Sequence, residues 1–196
     1  MKEYTRRTVG YYNEIASAYV ESSAAVVLQD QINTFTQLVP GDRILDVACG
    51  PGHDTDYMSR KGFDTLGVDL SEEMIRIAKG RHSGKFEVMN FFNLPFEDNS
   101  FDGLWCSSAL VHVERTSLPQ LLADFNRILV DNGILGIITV KKQRVLRDKS
   151  DKRKYVMYGK EELEEQLGKA GYDVLVSDVF PYGGKDRLFL LAINKK

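Results

Sequence analysis

The residues best placed to do chemistry are Asp46-x-x-x-Gly50-x-Gly52 and Asp69. Two glycines in a tight turn let a backbone approach a ligand closely. An acid at the end of the following strand accepts hydrogen bonds from two ribose hydroxyls. Together they predict an adenosine-type ligand. The dinucleotide fingerprint wants a third glycine, and Thr55 stands in its place. Asp46 has two readings, a group beneath the ligand or a satisfied structural carboxylate. His112 titrates near neutrality when unperturbed and is a candidate general base or a packed histidine. Tyr11, Tyr12 and Tyr19 offer rings with polar tips, for ligand or for packing. Phe91 and Phe92 suit a flat base as well as a core. His53, Asp54 and Asp56 resemble metal ligands only superficially, because acids at a helix start complement its dipole. No metal is expected. Cys49 and Cys106 are read as small packing residues before nucleophiles.

Elements follow from periodicity. Residues 44–48 read as a buried parallel strand, 53–61 as a helix stopped by Gly62, and 65–68 as a second strand ending in Asp69. Ser71 caps a helix with Glu72 and Glu73 in its first turn, an apolar face of Met74, Ile75 and Ala78, and an end at Gly80. Residues 85–89 and 101–107 are the third and fourth strands. Leu118, Leu121, Leu122, Phe125, Ile128 and Leu129 define an amphipathic helix, Asp131-Asn132-Gly133 a turn, and 134–140 a fifth strand. A helix over 161–170, ended by Gly171, precedes strands 172–179 and 187–193, with Pro181 and Gly183-Gly184 in the turn between them. Helices before residue 40 are predicted from Tyr11, Tyr12, Ile15, Ala16 and Tyr19, and from Leu28, Ile32, Phe35 and Val39.

In this order the segments resemble a known family. The glycine turn after Asp46, GVDLSEEMI at 67–75, NLPFEDNSFDGLW at 93–105 and SALVHV at 108–113 resemble the class I S-adenosylmethionine (SAM)-dependent methyltransferases. The resemblance runs from about residue 11 to the end. Ala48 stands where many relatives have glycine. The family implies an α/β, Rossmann-like, seven-stranded and mostly parallel sheet. Helices cover both faces, the last strand is antiparallel, and an N-terminal helical lid is present. It implies SAM as cofactor and S-adenosylhomocysteine (SAH) as product. The cofactor site it implies is Asp46, Ala48, Gly50, Gly52, Asp69, Leu70, Met74, Asn90, Phe91 and Ser107. Asn90 would accept a bond from the adenine amino group and Phe91 would lie against the ring. The end of the fourth strand, 107–112, would lie beside the methyl. Tyr11, Tyr19 and His112 are the expected groups on the catalytic side. The expected reaction is in-line transfer of a methyl to a small molecule, an O, N, C or S nucleophile.

Composition bounds the reading. The 196 residues suggest one domain, divided as a lid (1–40), a cofactor core (41–140), a basic substrate-side segment (141–158) and a C-terminal helix and hairpin (159–196). A net charge of −2 argues against general affinity for nucleic acid. Residues 141–154 carry eight basic and two acidic side chains, a local +6, which leaves −8 elsewhere. Such a segment beside the ligand edge attracts an anionic acceptor, or is a solvated loop. Two cysteines and no apolar leader or membrane-length run predict a cytoplasmic protein, monomer or homodimer. Three other readings stay open: a nucleic-acid or protein methyltransferase using the basic segment, a non-catalytic SAM-binding regulator or partner subunit, and an NAD(P)-dependent oxidoreductase.

Overall fold

The computed structural model describes residues 3–21, 28–142 and 155–196. Seven strands form one sheet: β1 Arg43–Val47, β2 Asp64–Asp69, β3 Lys85–Val88, β4 Phe101–Ser107, β5 Leu129–Val140, β6 Tyr172–Tyr182 and β7 Lys185–Asn194. Their order is β3-β2-β1-β4-β5-β7-β6. The first five pair in parallel; β7 runs against both of its neighbours. The order departs from the 3-2-1-4-5-6 of dinucleotide-binding sheets. The expected α/β, Rossmann-like, mostly parallel sheet is therefore present.

Central strands are apolar because both faces are covered. Ile44, Leu45 and Val47 of β1 are fully buried. Among the described residues, six α-helices pack around the sheet: α1 Glu3–Glu21, α2 Gln29–Leu38, α3 His53–Arg60, α4 Glu72–Arg81, α5 Leu118–Ile128 and α6 Lys160–Lys169. On one face Phe35 of α2 and Met58 of α3 pack with Trp105 and Phe189. The other face buries Leu121, Leu122 and Phe125 of α5 with Leu163 and Leu167 of α6. Gly136 of β5 stands beside Trp105 in the register. A Cβ at Gly136 would lie 2.5 Å from the indole, so glycine makes the room that Trp105 fills.

Several boundaries move. Gly80 does not end α4, which continues through Arg81. The 131–133 turn lies inside β5 as a register shift, with Asn132 at φ 60. Pro181 belongs to β6, opposite Asp186, and Gly183-Gly184 alone turn the hairpin. The basic segment falls largely on residues 143–154, outside the described residues.

Candidate functional site

The chain from β1 to α3 bends through three left-handed residues, Ala48 (φ 55), Gly50 (φ 55) and Gly52 (φ 85). Ala48 accepts this conformation despite its Cβ, at a cost of about 1 kcal/mol. The bend brings Gly50 N–H to the end of β2, where it donates to Asp69 Oδ2 at 2.9 Å. Ser71 N–H donates to Asp69 Oδ1 at 2.8 Å. Each carboxylate oxygen thus takes one backbone bond and keeps acceptor capacity. Burial pushes the Asp69 carboxyl up from its ordinary range, and the Ser71 and Gly50 bonds oppose that. As predicted, Ser71 caps α4, accepting from Met74 N–H at 3.2 Å.

Below the turn, Asp46 is buried and accepts from the Thr55 hydroxyl at 2.6 Å. Thr55 therefore has a task of its own at the position where dinucleotide sites carry glycine. Burial, then the neighbouring Asp54, pushes the Asp46 carboxyl well up. Asp54 accepts from Trp105 Nε1 at 2.9 Å, and burial raises its pKa to about 6. Asp56 pairs with Arg60 at 2.9 Å, so neighbouring acids of α3 look in different directions. Among the described residues no group of three or more His, Cys, Asp or Glu is arranged to hold a metal. Burial raises the thiols of Cys49 and Cys106 strongly, which suits packing and not nucleophilic attack.

Two cavities open at this carboxyl edge of the sheet. The larger holds about 750 Å³ of non-protein space, solvent at its mouth included. Ala48, Gly50, Asp69, Leu70 and Met74 line one side. Phe91 and Phe92, stacked with centroids 4.6 Å apart, line another, with Ser107 and Ser108 at the end of β4. α1 closes the top with Thr5, Thr8, Val9, Tyr12 and Tyr19. The smaller cavity shares Tyr19, Ala48, Gly50, Ser107 and Ser108 and adds Asp46, His53 and Asp54.

Most predicted site residues therefore converge. Three do not line either cavity. Gly52 caps α3, and a Cβ there would meet Phe86 at 2.6 Å. Asn90 turns its carbonyl oxygen to Phe92 N–H at 3.1 Å, shaping the turn that presents the two phenylalanines. Tyr11 stands edge-on to Tyr12, 6.3 Å between centroids. On the cavity side of α1 it is Tyr12 that accompanies Tyr19. Tyr12 shares a 3.0 Å hydrogen bond with His112 Nε2, and the Tyr155 ring lies 5.3 Å from the imidazole between centroids. The i, i+7 spacing of Tyr12 and Tyr19 marks one helix face, whereas Tyr11 lies about 100° away. Thr5 and Thr8 extend that face upstream, which helical phase alone could have revealed. Asp54 and Ser108 carried no comparable signal.

Residues 44–133 match the family model described as a methyltransferase domain. Demethylmenaquinone methyltransferase of Symbiobacterium thermophilum is 35% identical over 109 residues, 50% of this chain and 42% of that one. The 2-phytyl-1,4-naphtoquinone methyltransferase of a Synechocystis species is 36% identical over 110 residues, 50% of this chain and 45% of that one. The chain spans about half the length of the curated relatives it matches. In fold it is similar to the 1,6-didemethyltoxoflavin-N1-methyltransferase of Burkholderia thailandensis, solved with bound 1,6-didemethyltoxoflavin and SAH. The TM-score is 0.78 at 21% identity, covering 97% of this chain and 87% of that one. Motif order, the match over residues 44–133 and strand order are similar to those of the class I SAM-dependent methyltransferases.

Proposed function

We propose that this protein binds SAM in the two joined cavities and methylates a small molecule. The observation that carries the reading is Asp69, fixed by Gly50 and Ser71 at the rim of the larger cavity with acceptor capacity on both oxygens. Two adjacent ribose hydroxyls match that donor–acceptor set. Phe91 and Leu70 suit the two faces of an adenine. The smaller cavity, with Asp46 and Asp54, suits the ammonium of a methionine moiety, because a cation relieves the repulsion between two buried carboxyls.

When bound, SAM supplies a methyl on a sulfonium, already activated toward displacement. What remains for the chain is to position the acceptor, exclude water and handle a proton. Tyr12, Tyr19 and Thr8 close the space above Ser107 and Ser108. Aromatic rings there suit a sulfonium through cation–π attraction. A proton leaving the acceptor can pass to the Tyr12 hydroxyl oxygen as Tyr12 gives its own proton to His112 Nε2, the atom it bonds. Small-molecule acceptors are named for the quinone and toxoflavin relatives, and α1 over the cavity leaves room for a compact acceptor.

Among the described residues no helix is long and apolar enough to cross a membrane. Two free thiols fit our reading of a cytoplasmic setting.

Calorimetric titration with SAH, and in parallel with NAD, tests the proposal. We expect micromolar SAH binding and none of NAD. Asp69→Ala is expected to weaken SAH at least tenfold, about 1.4 kcal/mol. Unchanged affinity in that variant would remove the ribose from Asp69.

A further inference from the structure

Arg187 stands near the start of β7, opposite Val140 at the end of β5. That is the edge where the cavities open. Its side chain shares a face with Phe189, two residues on, which packs on Trp105. Its neighbour across β5 is the strand end of β4, where Ser108 N–H donates to Ile138 O at 2.7 Å. Arg187 Nη1 donates to Ser108 Oγ at 3.1 Å. The guanidinium carbon lies 5.4 Å from the centroid of the Tyr182 ring. Arg187 Nε is buried with no hydrogen-bond partner.

Five other arginines among the described residues behave differently. Arg43, Arg60, Arg76, Arg115 and Arg127 each pair with a carboxylate at 2.9 Å or less. Among the described residues no carboxylate lies within ion-pair distance of Arg187. It is more buried than those pairs, and burial pushes its pKa down. A guanidinium remains protonated nonetheless. A half-buried cation without a counter-charge carries a desolvation cost, and its planar fork fits an oxyanion.

Ser108 connects this charge to the cleft. It lines both cavities, and its backbone is held at φ 61, unusual for serine. Its oxygen accepts from Arg187, which leaves its own proton to donate. Arg187 itself lines neither cavity, so Ser108 Oγ faces the cleft with the guanidinium charge directly behind it.

We propose that Arg187 and Ser108 form an anion subsite that selects an acceptor carrying a compact oxyanion, a carboxylate or a phosphate. This rests on the reading that the cleft takes SAM and its acceptor. The turn suited to the cofactor follows β1, whereas Arg187 stands on β7, with β4 and β5 between them. The cofactor's own carboxylate is the other chemical source of such a group, and the test separates the two.

The SAH-saturated protein is titrated calorimetrically with phenyl phosphate, benzoate and benzyl alcohol. We expect at least one of the anions to bind and the alcohol to bind at least tenfold more weakly. R187Q should weaken the bound anion at least tenfold and leave SAH affinity within threefold. Three results would overturn the subsite: neither anion binding, the alcohol binding as well as the anions, or R187Q binding anion as wild type does. A tenfold loss of SAH affinity in R187Q would overturn it too, by giving the charge to the cofactor. If R187Q does not fold, the wild-type comparison of phenyl phosphate with benzyl alcohol still decides. Failure of wild type to bind SAH is a separate result, and it refutes the cofactor reading itself.

Discussion

Asp54 shows how one residue links stability to ligand binding. Burial raises its pKa to about 6, above the ~3.9 of an unfolded chain. Between those values the folded protein holds the extra proton. Stability therefore falls as pH rises from about 4 to 6 and stays lower above. Asn at 54 keeps an acceptor for Trp105 Nε1 and removes the charge. We expect Asp54→Asn to raise stability at pH 8 by about 1–2 kcal/mol, after allowance for solvent reaching the cavity, with little change at pH 4. Denaturant unfolding at the two pH values measures this. The same carboxylate favours a cationic ligand, so SAH affinity of the wild type should fall as pH drops through about 6. In Asp54→Asn that dependence should be largely lost. Titrations at pH 5 and pH 8 check the pair of effects. At this scale the sequence was readable where a residue's role is set by the backbone beside it. Asp69 is such a case, being a strand-end acid after a glycine turn. Asp54 and Arg187 were not, because their roles come from chain distant in sequence, Trp105 for one and Ser108 for the other.

Elements place these groups, and the turn between β1 and α3 is the most constrained of them. Gly50 and Gly52 both have positive φ, but their surroundings differ. A Cβ at Gly50 meets nothing within 4 Å, whereas at Gly52 it would lie 2.6 Å from Phe86 and 3.0 Å from Ala78. Gly50→Ala should therefore cost only about 1 kcal/mol of stability, from backbone strain, and mainly weaken SAH binding. Gly52→Ala should cost about 2–4 kcal/mol, because overpacking adds to strain. Chemical denaturation of both variants tests the contrast, and equal losses would refute it. Here the sequence pattern identified the turn and read Gly52 with the ligand; Gly52 lines neither cavity, and a Cβ there would meet α4 and β3. The strands were legible from apolar runs, and β4 matches its expected span of 101–107. Boundaries failed where tertiary contact outweighed local punctuation. Gly80 stays helical within α4, and Asn132 forms a kink inside β5 instead of ending it.

At the scale of the molecule, the sheet and α1 differ in how firmly they are held. β1 and β4 lie inside the large core, with Leu45, Val47 and Leu104 fully buried. α1 is held by a separate small cluster, Ala16 and Val20 against Met74 and Ile77 of α4. Polar contacts add to it: Ser71 Oγ donates to Asn13 Oδ1 at 2.6 Å, and Tyr12 meets His112. Releasing α1 exposes only a few apolar side chains, at about 1.5–3 kcal/mol for each large one, while the sheet keeps its core. The helix should thus open as a unit at a free energy well below global unfolding. Native-state hydrogen exchange reads this directly. Amides in the middle of α1 should exchange much faster than those of β1 and β4. If α1 covers the bound cofactor, SAH binds the closed form and holds it shut. At a hundredfold excess over Kd, with negligible affinity for the open form, this linkage is worth about 2.7 kcal/mol. Exchange of the α1 amides should then slow about a hundredfold. Slowing confined to the amides of 48–52 and 69–71 would mean that the cofactor binds beneath a helix indifferent to it, and α1 would then be a wall and not a lid.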